Sequence, residues 1–142
     1  MPTDTLPTEI HLEIVTPDRQ VVRDSVTEVS VPGKEGEMGI LPGHAPLLSL
    51  LKVGQLSYVH KGTTYYLAIN WGFVEVLPDR VIILAQTAER AEEIDMERAQ
   101  EARKRAEDRL AKISDSGIDM ERARVALERS ILRIQVARKA RS

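Results

Sequence analysis

The sequence predicts two unlike parts, an antiparallel β-sandwich or barrel followed by an antiparallel two-helix hairpin. Three observations carry this reading: the apolar period changes from two to 3.6, turn-forming residues stop, and charge density jumps. All 7 prolines, 7 of the 8 glycines and all 5 aromatics (Tyr58, Tyr65, Tyr66, Trp71, Phe73) precede residue 88. Residues 1–88 hold 6 Lys+Arg against 10 Asp+Glu, net −4, whereas residues 89–142 hold 14 against 12, net +2, with 26 charged residues in 54. The expected domain boundary therefore lies between residues 88 and 89.

Within the first part, Ile10, Leu12 and Ile14 alternate with Glu9, His11 and Glu13, the period of a strand with one buried and one wetted face. Further strand signals are Val29 and Val31; Leu56 and Tyr58; Tyr65, Leu67 and Ile69; Val74 and Val76; and Val81, Ile83 and Ala85. Turns are expected at Thr16-Pro17-Asp18, Pro32-Gly33, Leu41-Pro42-Gly43, Lys61-Gly62 and Leu77-Pro78-Asp79. Short strands at near-regular spacing leave no room for crossover helices, and nearly all the bulky apolar residues lie here, so this part is expected to fold without the tail.

In the second part Ala91, Ala99, Ala102, Ala106, Leu110 and Ile113 recur at helical spacing. Ser114-Asp115-Ser116-Gly117 interrupts, and Met120, Ala123, Leu127, Ile131, Ile134 and Ala137 resume. Asp95 and Asp119 stand where a helix N-terminus favours an acid. Ile94-Asp95-Met96-Glu97-Arg98-Ala99 is repeated as Ile118-Asp119-Met120-Glu121-Arg122-Ala123, and the repeat continues with Arg105 matching Arg129 and Arg109 matching Arg133. At about 100° per residue each helix thus carries three arginines on one narrow stripe. On the second helix Met120, Leu127, Ile131 and Ile134 are expected on the opposite side. Like charges on adjacent turns repel, so the stripe either is a solvated face or meets a polyanion.

Composition removes several classes of function. The chain is 142 residues with no cysteine, which excludes a disulfide framework, a thiolate metal site and a cysteine nucleophile. A net charge of −2 offers no global attraction for nucleic acid, and the basic tail contains no aromatic residue on which a base could stack. Met1 to Glu9 lacks a basic and then apolar leader pattern, and the longest charge-free run, Met38 to Leu51, is broken by Pro42 and Pro46; a soluble protein is expected. Gly33-Lys34-Glu35-Gly36-Glu37-Met38-Gly39 fails as a phosphate loop because carboxylates follow Lys34, and it reads as a turn. His11, His44 and His60 form no metal triad pattern, and no catalytic constellation is marked.

The segment Val31-Pro32-Gly33-Lys34-Glu35-Gly36-Glu37-Met38-Gly39-Ile40-Leu41-Pro42-Gly43-His44-Ala45-Pro46-Leu47-Leu48, then Gly54-Gln55-Leu56 and Ile94-Asp95-x-x-Arg98-Ala99, closely resembles the epsilon subunits of bacterial F-type ATP synthases. The likeness runs from about Glu9 to Arg138. It implies a flattened sandwich of about ten strands and a hairpin in the central stalk of the rotary enzyme, a non-catalytic rotor part at the cytoplasmic face of the plasma membrane. The implied partners are gamma and the c-ring, with Glu37 facing the c-ring and His44 facing gamma. The alpha and beta subunits would be met when the hairpin extends upward and inhibits hydrolysis. The resemblance also implies ATP as a regulatory ligand, with no cofactor required, bound by Glu89, Asp95, Arg98, Arg105, Arg122, Arg129 and Arg133; Arg109 lies outside that set and is expected to matter less. A β-sandwich binding module with a coiled-coil dimerisation tail is the alternative.

Overall fold

The computed structural model describes residues 6–112 and 119–140. The expected helix break at Ser114–Gly117, together with Ile113 and Ile118, lies outside the described residues. The chain divides into two compact units, Met1–Arg90 and Ala91–Ser142.

Among the described residues the first unit has eight strands: β1 (Ile10–Val15), β2 (Gln20–Val26), β3 (Glu28–Gly33), β4 (Gly36–Ile40), β5 (Leu47–Leu51), β6 (Gly54–His60), β7 (Thr63–Leu77) and β8 (Arg80–Arg90). They are ordered β2-β1-β8-β7-β5-β3-β4, with β6 pairing both β3 and β7, so the sheet folds back on itself as a sandwich does. The alternation in β1 behaves as expected, with Ile10, Leu12 and Ile14 fully buried. They join Val29, Val31, Leu56, Tyr58, Leu67, Ile69, Val74, Val76, Val81 and Ile83 in one apolar core. The β6–β7 hairpin turns at Lys61-Gly62, where both residues have positive φ (49° and 78°), the conformation that a two-residue hairpin requires.

The structure corrects three expectations. Pro32-Gly33 is not a turn but the end of β3, and the supposed turn over residues 33–39 is a hairpin whose second strand is β4, pairing Pro32 with Glu37 and Gly33 with Gly36. Pro32 is tolerated because a strand can close with a residue that donates no hydrogen bond. The sheet is not wholly antiparallel, because β1 runs parallel to β8; some 65 residues of chain separate them, and no short turn constrains their direction. Finally, eight strands lie among the described residues where the resemblance implied about ten, and the separate signals at Tyr65–Ile69 and Val74–Val76 belong to one continuous strand.

The alternation in β7 switches partway along. Leu67 and Ile69 point inward before Trp71, whereas Val74 and Val76 point inward after it. The switch coincides with Trp71, whose φ is +44°, and with a break in the β7–β8 ladder between Asn70–Thr87 and Gly72–Ala85. β8 changes phase opposite it, from buried Val81, Ile83 and Ala85 to buried Ala88. Gly72 is required here, since a Cβ would sit 2.1 Å from the carbonyl oxygen of Leu84.

The end of β8 is tied into the sandwich. Ala88, Glu89 and Arg90 pair with Ile69, Ala68 and Leu67, and the Arg90 guanidinium donates to Tyr58 Oη (3.2 Å) and to the Val21 carbonyl (2.9 Å). A chain ending at Arg90 should therefore fold stably, whereas one ending at Thr87 should lose about 3 kcal/mol or more, because it forfeits hydrogen bonds from a charged donor as well as ladder pairs. Denaturant unfolding of the two truncations compares them directly.

The second unit begins with a single 3₁₀ turn, Ala91–Glu93, and continues as α1 (Met96–Ala111) and α2 (Met120–Ala140). Asp95 caps α1 by accepting from the Arg98 N–H at 3.1 Å, and Asp119 Oδ1 accepts from the Arg122 N–H at 3.2 Å. The buried positions are Ala91, Ile94, Ala99, Ala106, Ala123, Ser130, Ile134, Val136 and Ala137. Ser130 Oγ is satisfied by the Leu127 carbonyl at 2.8 Å. Met120, expected on the packed face, is 53% exposed.

Candidate functional sites

Each unit presents one candidate surface, and the first is an apolar face on the outside of the sandwich. Cross-strand register places Leu50 opposite Phe73, Phe73 opposite Leu84, and Leu84 opposite Val15, one row across β5, β7, β8 and β1. Leu50, Phe73 and Leu84 are 43%, 50% and 53% exposed, and Trp71 beside them is 47% exposed. Together they line a groove of about 730 Å³ whose charged lining residues are Lys34 and Lys52. Apolar side chains side by side on the solvent face of four strands leave surface that a partner can cover. Sequence reading missed this row because no strand was assigned over residues 47–51.

The two residues expected to make subunit contacts lie on β4 and just after it. Glu37 is exposed on β4 and accepts a 2.6 Å hydrogen bond from Ser30 Oγ across the hairpin. His44 lies between β4 and β5, its N–H donating to the Leu41 carbonyl at 3.2 Å and its Nδ1 lying 2.7 Å from the Ala45 carbonyl. Neither residue holds up the core. Glu37→Lys should leave unfolding unchanged within about 0.5 kcal/mol, which denaturant unfolding measures.

The second surface is the arginine stripe of the hairpin. Arg98 and Arg105 immediately precede buried Ala99 and Ala106, and Arg122, Arg129 and Arg133 immediately precede buried Ala123, Ser130 and Ile134. The stripes therefore flank the helix–helix seam, about a quarter-turn from it, instead of lying opposite it as expected. The reason is that the seam is chosen by small residues that let the helices approach, rather than by the larger Leu127 and Ile131, which are only partly buried.

Between the helices lies a groove of about 450 Å³ lined by Arg109, Arg122, Arg129, Val125, Ala126 and the carboxylates of Asp119 and Glu121. Both acids are engaged elsewhere. Asp119 caps α2, and Glu121 bonds to Arg124, holding that guanidinium above the usual arginine value, chiefly through their side-chain hydrogen bond. No ion pair forms on Arg109, Arg122 or Arg129 among the described residues. The structure thus brings together Arg122 and Arg129 of the expected set, and adds Arg109. Arg98, Arg105 and half-buried Arg133 lie on the stripes but do not line this groove; Asp95 is occupied at the N-terminus of α1, and Glu89 belongs to β8 in the other unit. Among the described residues no group of acids and histidines could hold a metal ion, and no helix is long and apolar enough to cross a membrane.

A sandwich with a solvent-facing apolar row, joined to a helical pair with an arginine groove, is the build of a docking subunit. The chain belongs to the ATP synthase delta/epsilon chain family, whose β-sandwich domain matches residues 9–91 and whose long α-helix domain matches residues 92–138. It is 61% identical over 100 residues, 70% of each chain, to the ATP synthase epsilon chain of Koribacter versatilis. It is 48% identical over 132 residues to that of Trichlorobacter lovleyi, covering 93% of this chain and 96% of the relative. Among solved structures, a chain of the Euglena gracilis mitochondrial ATP synthase OSCP/F1/c-ring assembly matches with a TM-score of 0.77 at 25% identity, covering 99% of this chain and 85% of that one. A chain of the Tetrahymena thermophila mitochondrial ATP synthase central stalk and c-ring shares the fold, with a TM-score of 0.53 at 14% identity, over 97% of this chain and all of that one.

Proposed function

We propose that the chain is a non-catalytic rotor subunit of the central stalk of an F-type ATP synthase, joining gamma to the c-ring, and that its helical hairpin regulates ATP hydrolysis. The observation that carries this reading is the outward row of Leu50, Phe73, Leu84 and Val15, a surface fit for a protein partner on a family fold found in F1/c-ring assemblies. Docking there holds the sandwich on gamma, while the β3–β4 hairpin with Glu37, and the loop with His44, supply the c-ring and gamma contacts. The subunit is then peripheral to the membrane, at its cytoplasmic face, tied to proton transport through its partners.

The hairpin serves as the regulatory element. Its seam is mostly alanine and serine, so the two helices are joined by little apolar area, and a modest difference in contact free energy suffices to change their arrangement. Three guanidinium groups in one groove repel each other until an anion neutralises them, and a triphosphate is such an anion. ATP bound to the compact hairpin would favour that form over an extended one that reaches alpha and beta.

Co-purification of the tagged full chain from its host tests the assignment. Gamma and c-ring subunits should accompany it in stoichiometric yield. Recovery of a homodimer with neither would instead support a sandwich module with a dimerising tail.

A further inference from the structure

Trp71 occupies a backbone conformation that its side chain disfavours. Its φ of +44° is the left-handed region, uncommon for any residue with a Cβ and a genuine outlier for a bulky one. Among the described residues the other non-glycine residue with positive φ, Lys61, sits in a two-residue hairpin turn that needs it. Trp71 has no such reason, because the phase switch in β7 needs only the dihedral, which glycine would supply without strain. A second cost lies next to it: the Asn70 Oδ1 is buried with no hydrogen-bond partner among the described residues. Nor does the indole repay the strain through the core, since it stands 47% exposed on the wall of the apolar groove. Strain retained at a solvent-facing aromatic is accounted for when the side chain is used by something outside the fold.

We propose that Trp71 is the anchor by which the sandwich grips gamma, and that the gamma segment it receives is apolar and flanked by carboxylates. The inference rests on the proposed central-stalk assignment and goes beyond it by naming the residue and the chemistry of the partner segment. The left-handed kink turns both Trp71 and Phe73 to the outside, so a single backbone feature assembles the aromatic half of the groove. The carboxylates follow from charge: the groove's charged lining residues are Lys34 and Lys52, a basic rim on a unit whose residues 1–88 carry net −4.

The test opposes stability to binding. The full-length chain is titrated onto an alpha–beta–gamma assembly stripped of this subunit, and its own unfolding is measured separately. Trp71→Gly and Trp71→Asn, both at ease with positive φ, should unfold no earlier than wild type yet bind at least about thirtyfold more weakly, the loss expected when an interface anchor is removed. Lys52→Glu should weaken binding and flatten its salt dependence. Binding within threefold of wild type in both Trp71 variants would overturn the anchor, and unchanged salt dependence in Lys52→Glu would overturn the acidic segment. A dimer of this chain lost in Trp71→Asn while gamma binding persists would assign the groove to a second copy and also overturn the proposal. A wild-type chain that fails to bind the assembly would bring down the central-stalk assignment itself.

Discussion

Phe73→Asp should leave the sandwich folded and nearly abolish its capture by the rest of the stalk. Phe73 is half exposed and lies in the middle of the outward row, with Leu50 on one side and Leu84 on the other. Replacing it takes nothing from the core but removes cross-strand contacts with Leu50 and Leu84 and puts a poor strand former in β7, so the isolated chain should lose about 1–2 kcal/mol and stay folded. Docking would then bury a carboxylate among Leu50, Leu84 and Trp71 without a partner, at a cost of about 2–5 kcal/mol, roughly thirty- to several-thousandfold in affinity. Thr64→Asp, at an exposed position in the first part of β7, is the matched control and should bind normally. Equal binding by both variants would show that the row is not the docking face.

Calorimetry of the isolated full chain with ATP should give saturable heat, and Arg122→Ala should reduce the affinity by about tenfold or more, the worth of one charge-assisted hydrogen bond. Arg109 now belongs in the same experiment. The family pattern alone would leave Arg109→Ala near wild type, yet the structure puts this guanidinium in one groove with Arg122 and Arg129, so it should lose a comparable amount. Arg103, which faces Glu107 in an i,i+4 pair on α1, gives the contrast: Arg103→Ala should bind as wild type does. Each variant leaves the sandwich core untouched, so circular dichroism in the β region should not move. Absence of heat at millimolar ATP would make the stripe a solvated or protein-facing surface.

Much of the fold was legible because period-two alternation and turn chemistry are local. Burial of Ile10, Leu12 and Ile14, and the hairpin at Lys61-Gly62, follow from side-chain direction and from dihedrals set within a few residues. The change to a 3.6 period marked the helices for the same reason, and Asp95 and Asp119 cap them as their positions suggested. β4 and β5 were not legible: their residues at Glu37, Leu48 and Leu50 are exposed, so no inward–outward contrast betrays a strand. The break in phase between Ile69 and Val74 was visible as two signals, but whether the chain turns there or runs through depends on β8 lying alongside to hold it extended.

The candidate sites divide in the same way. The arginine repeat, its spacing and the caps were set by the sequence alone, because a helix converts spacing into angle without help from the rest of the molecule. Which side of each stripe faces the neighbouring helix was decided only by tertiary packing: small residues at Ala99, Ala106, Ala123 and Ser130 won the seam over larger ones, bringing Arg109 beside Arg122 and Arg129. The outward apolar row likewise exists only in three dimensions. Leu50, Phe73, Leu84 and Val15 are far apart in the chain, and strand register, a non-local property, is what lines them up.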